Sequence, residues 1–366
     1  MPDGSGCTYH CPVSVVVIIG TGDMGERLAT GLATGGRVRH LVLVGRSTAA
    51  LAAVGATLSS VSDCLVEPVE ADAMRPDDVA ELLARTRPHL VVQCAALRSP
   101  WALAGRDDAA ARAVAAAGLG VRLPYQLPVI LSVMRAAKDA GYAGPVANLS
   151  FPDVTGPILR RLGLAPTIGL GNAGMILRRV RAALRAAEPE ASPPLIRILG
   201  HHAQVYAAMQ AQEPADPGHR CQVYLGEDGQ RDDGLAYQAP ALAPGLRYNA
   251  VAAAAALPVL EALLPGATSL RWSTPAPGGL PGGYPVLIAN GAVTLDLPPG
   301  LTEQDAIAFN ESMARWDGID RIDADGTVHF TAASRDAVAG FGHGLSEPLT
   351  LDDLPTRTAA LDAALA

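Results

Sequence analysis

A glycine pattern near the start of the chain is the first group of residues whose spacing implies chemistry. The apolar run Ser14-Val15-Val16-Val17-Ile18-Ile19 empties into Gly20-Thr21-Gly22-Asp23-Met24-Gly25, and a helical pattern follows. Gly20 permits a tight turn, Gly22 lets a pyrophosphate approach the backbone, and Gly25 lets the helix pack close to the strand. The free N–H groups of the helix N-terminus attract phosphate. The pattern predicts a bound dinucleotide. A second apolar strand, Leu41-Val42-Leu43-Val44, ends in Gly45-Arg46-Ser47, where NAD-selective sites place a carboxylate for the ribose 2′-hydroxyl. A guanidinium and a hydroxyl suit a 2′-phosphate instead, so the expected cofactor is NADP(H).

Such a motif needs a parallel sheet to hold it, and the rest of the first half supplies one. Helical patterns near Thr48–Ser59 and Pro76–Arg85 alternate with strands near Leu65–Val69 and at Leu90–Cys94. This is the rhythm of a doubly wound α/β sheet of the Rossmann type. Asp72, past the third strand, falls where an adenine-side contact could form or a helix begin, and Ala95-Ala96 follow the fourth strand where backbone can approach the cofactor. After helices at Asp107–Ala117 and Val129–Ala140 comes a strand, Pro145–Asn148, then a loop, Ser150-Phe151-Pro152-Asp153. Ligands bind at the carboxyl ends of such strands, which draws Asn148 and Ser150 into the expected site.

The second half has a different texture. Helices near Ala173–Ala187, Tyr248–Leu264 and Glu303–Trp316 are interleaved with strands near Leu195–Leu199 and Cys221–Leu225 and a hairpin, Tyr284–Ala289 with Ala292–Leu297. The expected organisation is a flexible tail over 1–12, an NADP(H)-binding domain over 13–148 and an α+β substrate domain over 149–366, with Pro275 to Gly283 as a surface loop.

Composition narrows the class. The chain has 366 residues, 49% of them hydrophobic, enough for two cored domains. Its 28 basic and 36 acidic residues leave a net charge of −8, and no Lys/Arg block tracks a phosphate backbone, which argues against nucleic acid. No apolar run approaches the roughly 20 residues that span a bilayer, and no basic signal region precedes one, so a soluble cytoplasmic protein is expected. Five scattered cysteines make no disulfide framework, and although Cys7 and Cys11 flank His10, no second ligand pair follows, so no metal is expected. Lys138 is the only lysine and sits among Arg135 and Asp139 on a solvated helix face, leaving lysine catalysis without a candidate.

Taken in order, Gly20 to Gly25, Cys94-Ala95-Ala96, Ser150-Phe151-Pro152-Asp153-Val154, Gly169-Leu170-Gly171-Asn172, Leu199-Gly200-His201-His202-Ala203 and Tyr284 to Val293 resemble the lactate and malate dehydrogenase superfamily. The resemblance implies that His202, or its neighbour His201, is the general acid toward a substrate carbonyl, a role suited to an imidazole. It implies that Arg178 clamps a substrate carboxylate and that Arg98 and Arg106 belong to a mobile loop that polarises the carbonyl and reads the distal group. It also implies a dimer or tetramer. The departures are informative: the aspartate that orients the family's histidine falls on Met175, and Phe151-Pro152 stands where the family has Asn-Pro, leaving Asn148 or Ser150 to touch substrate or nicotinamide. Either Asp153, Asn148 or another group orients the histidine, or the histidine is not the acid, and the pocket should take a larger or less polar substrate.

The reading that follows is an NADPH-dependent reductase of a carbonyl or imine carbon in a small, carboxylate-bearing substrate. An opine or amino-acid dehydrogenase is its near neighbour, distinguished by an amine co-substrate. A dinucleotide-binding redox sensor is the non-enzymatic alternative, kept open by Met175. The NAD-dependent glycosidases, similar in fold, would need a cysteine near Gly171-Asn172, and none stands there.

Overall fold

The computed structural model describes residues 14–342 and 344–366; the tail with Cys7, His10 and Cys11 lies outside them. Six parallel strands form the central sheet: β1 (Ser14–Ile19), β2 (Val38–Gly45), β3 (Leu65–Glu70), β4 (Leu90–Gln93), β5 (Val146–Asn148) and β6 (Ile168–Gly169). Their order, β3-β2-β1-β4-β5-β6, is that of a doubly wound sheet, and the order reverses between β1 and β4. Val, Ile and Leu run almost unbroken through β1 and β2 because both faces are covered. The side chains alternate: Val16 and Ile18 enter one core, Val17 and Ile19 the other.

Three antiparallel sheets complete an α+β second half. Ile196–Leu199 pairs with Gln222–Leu225 and Gln230–Arg231; Leu270–Pro275, Gly283–Ala289 and Ala292–Leu295 form the second; Ile319–Ile322 and Val328–Phe330 form the third. The two halves are not consecutive blocks. β6 lies beyond Asn148, and the helix Leu354–Ala364 returns to the first half, where Leu354 and Leu361 share a core with Leu123 and Tyr125.

Several local expectations change. The segment Pro275 to Gly283 is not a surface loop: Pro277 and Gly279 are buried, and a Cβ on Gly279 would stand 2.8 Å from the Gly156 carbonyl oxygen. Its small residues permit close packing against the helix Pro152–Arg161. That helix replaces the expected loop, with Pro152 in its first turn, where the missing N–H costs nothing. The helix read from Val129 begins at Leu123 and contains Pro128, and His202–Gln210 is helical although no periodicity marks it. No single helix among the described residues is long and apolar enough to cross a membrane.

The glycine turn illustrates how residue type dictates geometry. Gly20 has φ +103°, and a Cβ on Gly25 would lie 1.9 Å from the Gly20 carbonyl oxygen. Gly25→Ala should therefore push the helix Asp23–Thr34 off β1 at a cost of about 1–3 kcal/mol. Thermal unfolding is expected to show a midpoint lower by several degrees, and an unchanged midpoint would contradict this packing.

Candidate active site

A cleft of about 470 Å³ opens above the carboxyl ends of β1, β2 and β4. Every residue read as cofactor-binding lines it: Gly20, Thr21, Gly22, Asp23, Met24, Gly25, Gly45, Arg46, Ser47, Asp72, Ala95, Ala96 and Ser150. The surfaces suit a dinucleotide. A Cβ on Gly22 would meet nothing within 4 Å, so the helix N-terminus faces open space where a phosphate fits. Ser47 Oγ accepts the Ala50 N–H at 3.2 Å, capping the next helix, while its own hydrogen remains available to a ligand. Asp72 accepts the Met74 N–H at 3.0 Å in the turn ahead of the helix Pro76–Thr86, whose N-cap is Arg75, while still lining the cleft. One carboxylate does approach the end of β2 from the neighbouring strand: Glu70 pairs in register with Gly45 and accepts from Thr48 Oγ1 at 2.5 Å.

A bridge crosses one side of the cleft. Trp101 Nε1 donates to Asn249 Oδ1 at 3.0 Å, and Asn249 Nδ2 donates to Asp23 at 2.8 Å. Asp23 is held below the usual carboxylate range chiefly by its hydrogen bonds from Arg27, with Asn249 adding to them against a burial penalty.

Beside the cleft lies a cluster of ionisable groups that no local sequence pattern joins. His202 opens the helix His202–Gln210, and its Nδ1 lies 3.1 Å from each oxygen of Asp317, a residue 115 positions away. His201 Nδ1 is also 3.1 Å from Asp317 Oδ2. The Ala203 N–H approaches the same His201 nitrogen at 3.3 Å. One nitrogen cannot donate and accept at once, and the carboxylate is the closer and stronger partner, so the proton belongs on Nδ1. Asp153, buried after β5, accepts the His202 backbone N–H at 3.1 Å through Oδ1 and the Asn172 side-chain amide through Oδ2.

Tight packing sets Asp317 in place. A Cβ on Gly118 would lie 2.6 Å from the Asp317 carbonyl carbon, and Ser334 Oγ donates to the Ala117 carbonyl at 2.7 Å. Burial would raise the carboxyl's affinity for protons, but the two imidazoles outweigh it and hold Asp317 well below the usual range. For His202 burial opposes the charged ring, yet Asp317 and Asp153 together raise its pKa above 6.5, against the nearby Arg122. Burial pushes Asp153 upward, partly offset by the histidines.

The six residues read as catalytic are divided by the structure. His202 keeps a side chain 30% exposed and has Nε2 free of the Asp317 contact, whereas His201 is fully buried. Asn148 is spent internally: it donates to Thr155 Oγ1 at 3.0 Å and accepts the Ser150 N–H at 2.9 Å. Arg98 pairs with Asp362 at 3.0 Å, and Arg106 pairs with Asp108 at 2.7 Å and reaches the Leu365 carbonyl. Both loop arginines are thus tied to their own segment or the C-terminal helix. Arg178 is partly buried on the helix Asn172–Ala187, two turns from its N-terminus. The carboxylate that meets His202 is Asp317, in the turn after the helix Glu303–Ala314, while Met175 is 6% exposed among apolar neighbours.

Arg122 went unread; Phe151 is the bulky residue expected to reshape the pocket. Phe151 lines the cleft, and its ring centroid lies 5.8 Å from that of His202; Phe151 thus connects the two sites. Its φ of +41° is rare for an aromatic residue. The Arg122 guanidinium sits 5.8 Å from the Phe151 ring centroid, and burial lowers its pKa. Arg122 stands in the long segment after Arg98, where no motif singles it out.

A family model for the KR domain matches residues 14–119, which hold β1 to β4. Among solved structures, a lactate dehydrogenase from a Medee basin deep-sea metagenome library superposes with a TM-score of 0.51 at 16% identity, covering 83% of this chain and 96% of that one. The lactate dehydrogenase of Cryptosporidium parvum, solved with lactic acid and β-nicotinamide adenine dinucleotide, gives 0.51 at 16% identity over 84% and 96%. No curated protein sequence matches. The chain has the lactate dehydrogenase fold, as the resemblance in its motifs implied.

The Asp317–His202 pair has a defined pH signature. His202 titrates above 6.5 in the folded chain, so its contribution to stability is full below pH 6.5 and disappears as pH rises through the raised value. Asp317 titrates below 3.8, so its contribution disappears only as pH falls through the lowered value. Asp317→Asn should therefore cost most between these limits, about 2 kcal/mol at pH 6, and distinctly less at pH 9. Denaturant unfolding at the two pH values measures this, and an equal cost at both would show that the pair carries no charge interaction.

Proposed function

We propose that the protein is an NADP(H)-dependent reductase that moves a hydride to a carbonyl or imine carbon of a small substrate bearing a carboxylate. The observation that carries this reading is the grip of Asp317 on His202 Nδ1, which leaves Nε2 as the proton donor one aromatic ring away from a dinucleotide-shaped cleft. The nicotinamide would supply the hydride. His202 Nε2–H would give its proton to the substrate oxygen or nitrogen, and in the reverse direction the neutral ring would take it back. Asp317 fixes the tautomer and balances the imidazolium; Asp153 holds the backbone from which the ring projects.

The preference for NADP(H) is supported by Arg46 and Ser47 on the cleft rim. Glu70 opposes it electrostatically, but it is occupied by Thr48 and is not among the lining residues. A substrate carboxylate is supported by Arg122, whose side chain meets an aromatic face and the Pro100 carbonyl rather than an acid. The bulk of Phe151 favours an apolar substrate body. The sensor reading rested on Met175, and Asp317 supplies the carboxylate that Met175 lacks.

NADPH consumption across 2-oxo acids, bulkier ketones and cyclic imines, each with and without an amine, tests the activity. His202→Gln should lower turnover on the accepted class by about 10²–10⁴-fold and leave NADPH affinity nearly unchanged. Unchanged turnover would assign the proton elsewhere, and tight NADPH binding without consumption by any class would favour the sensor. Separately, Arg46→Asp should weaken NADPH binding at least tenfold more than NADH binding, as a lost charge-assisted contact of about 1.4 kcal/mol or more requires. Equal losses would remove the 2′-phosphate assignment.

A further inference from the structure

His201 reaches no cleft, yet its ring occupies a position that a merely space-filling residue would not need. It is fully buried, it places Nδ1 3.1 Å from Asp317 Oδ2, and that same oxygen lies 3.1 Å from His202 Nδ1. Its Nε2 is buried with no hydrogen-bond partner. A proton on Nε2 would therefore be stranded, whereas a proton on Nδ1 meets a carboxylate.

We propose that His201 is a positioning residue that, by sharing the Asp317 carboxylate with His202, sets how firmly His202 holds its proton. The inference rests on the reading of His202 as the acid.

The physical basis is competition for one acceptor. A carboxylate that receives two imidazole N–H groups is a weaker base toward each than a carboxylate that receives one. With Asp317 7% exposed, water cannot readily replace a lost donor. Removing the His201 donor concentrates the Asp317 charge on His202, which then keeps its proton to higher pH. The other charged groups acting on His202 are Asp153, which favours the charged ring, and Arg122, which opposes it. Neither hydrogen-bonds to Asp317, although both feel its charge. The arrangement thus restrains an aspartate that would otherwise lock His202 in its charged form, and it keeps proton release within reach of a working pH.

The test is a pH titration of the histidine rings in the full chain by ¹⁵N-detected NMR, with His202 assigned by its loss in His202→Gln. In the wild type, His201 should show the Nδ1–H tautomer; an Nε2–H tautomer would overturn the proposal without any variant having to fold. In His201→Leu, which removes the donor and keeps apolar bulk, the His202 midpoint should rise by about half to one unit. In His201→Asn, whose amide restores a donor near the Nδ1 position, it should return most of the way to wild type. A His202 midpoint that falls or stays fixed in His201→Leu would refute the sharing. Because these readouts need no turnover, they are separable from the reductase reading, which fails on NADPH consumption alone. Where a substrate is accepted, the alkaline limb of the reduction rate should move upward by the same interval.

Discussion

The structure turns on a buried carboxylate. Asp317 lies in the interior, where an unpaired charge is expensive, and it is compensated by two imidazole N–H groups rather than by an arginine or lysine. That choice makes the compensation titratable. To satisfy Asp317 the chain must bring the start of the helix His202–Gln210 against the turn Arg315–Asp317, and must seat that turn on the glycines near residue 118. The His201–His202–Asp317 cluster and the packing of the C-terminal segment on the first half are therefore one arrangement.

The comparison with the lactate dehydrogenase fold sharpens the point. The family's aspartate would fall on the helix Asn172–Ala187, where Met175 stands, and the motifs left Asp153, Asn148 or another group to orient the histidine. In this chain Asp317 is the carboxylate that meets His202 Nδ1, and it comes from a different element. What a histidine needs is an acceptor at Nδ1 with a fixed direction, and any rigid element that can deliver one suffices. Asp153 from the helix Pro152–Arg161 adds a second tie, to the backbone of His202 rather than to its ring.

Arginines behave in the same way. Arg98 and Arg106 have the right spacing for a substrate-facing loop, but acids and carbonyls nearby claim them first. Arg122, between the loop and a buried helix, meets no such acid and is left beside Phe151 and His202. Which arginine is left without an acid partner is decided by the packing around it, and Arg122 keeps only the Pro100 carbonyl. Spacing along the chain does not report that competition.

The cofactor cleft was legible because its parts are local. The strand, the glycine turn and the helix N-terminus follow one another within β1 and the next helix, and every residue assigned from that pattern lines the cleft. The parallel sheet was legible in the alternation of short apolar runs with helical patterns, since strands covered on both faces read as continuous apolar segments. The helix from His202 and the buried turn at Pro277–Gly279 were not legible, because a short weakly periodic segment and a Pro-Gly run read as loops until a tertiary partner covers them. By itself the sequence determined a doubly wound half with a dinucleotide-type glycine turn, a mixed second half and a histidine pair as the candidate acid. Tertiary structure alone decided that His202 faces outward and His201 inward, and that Asp317 serves both, because a contact across 115 residues leaves no period in the chain and exists only once distant cores have packed.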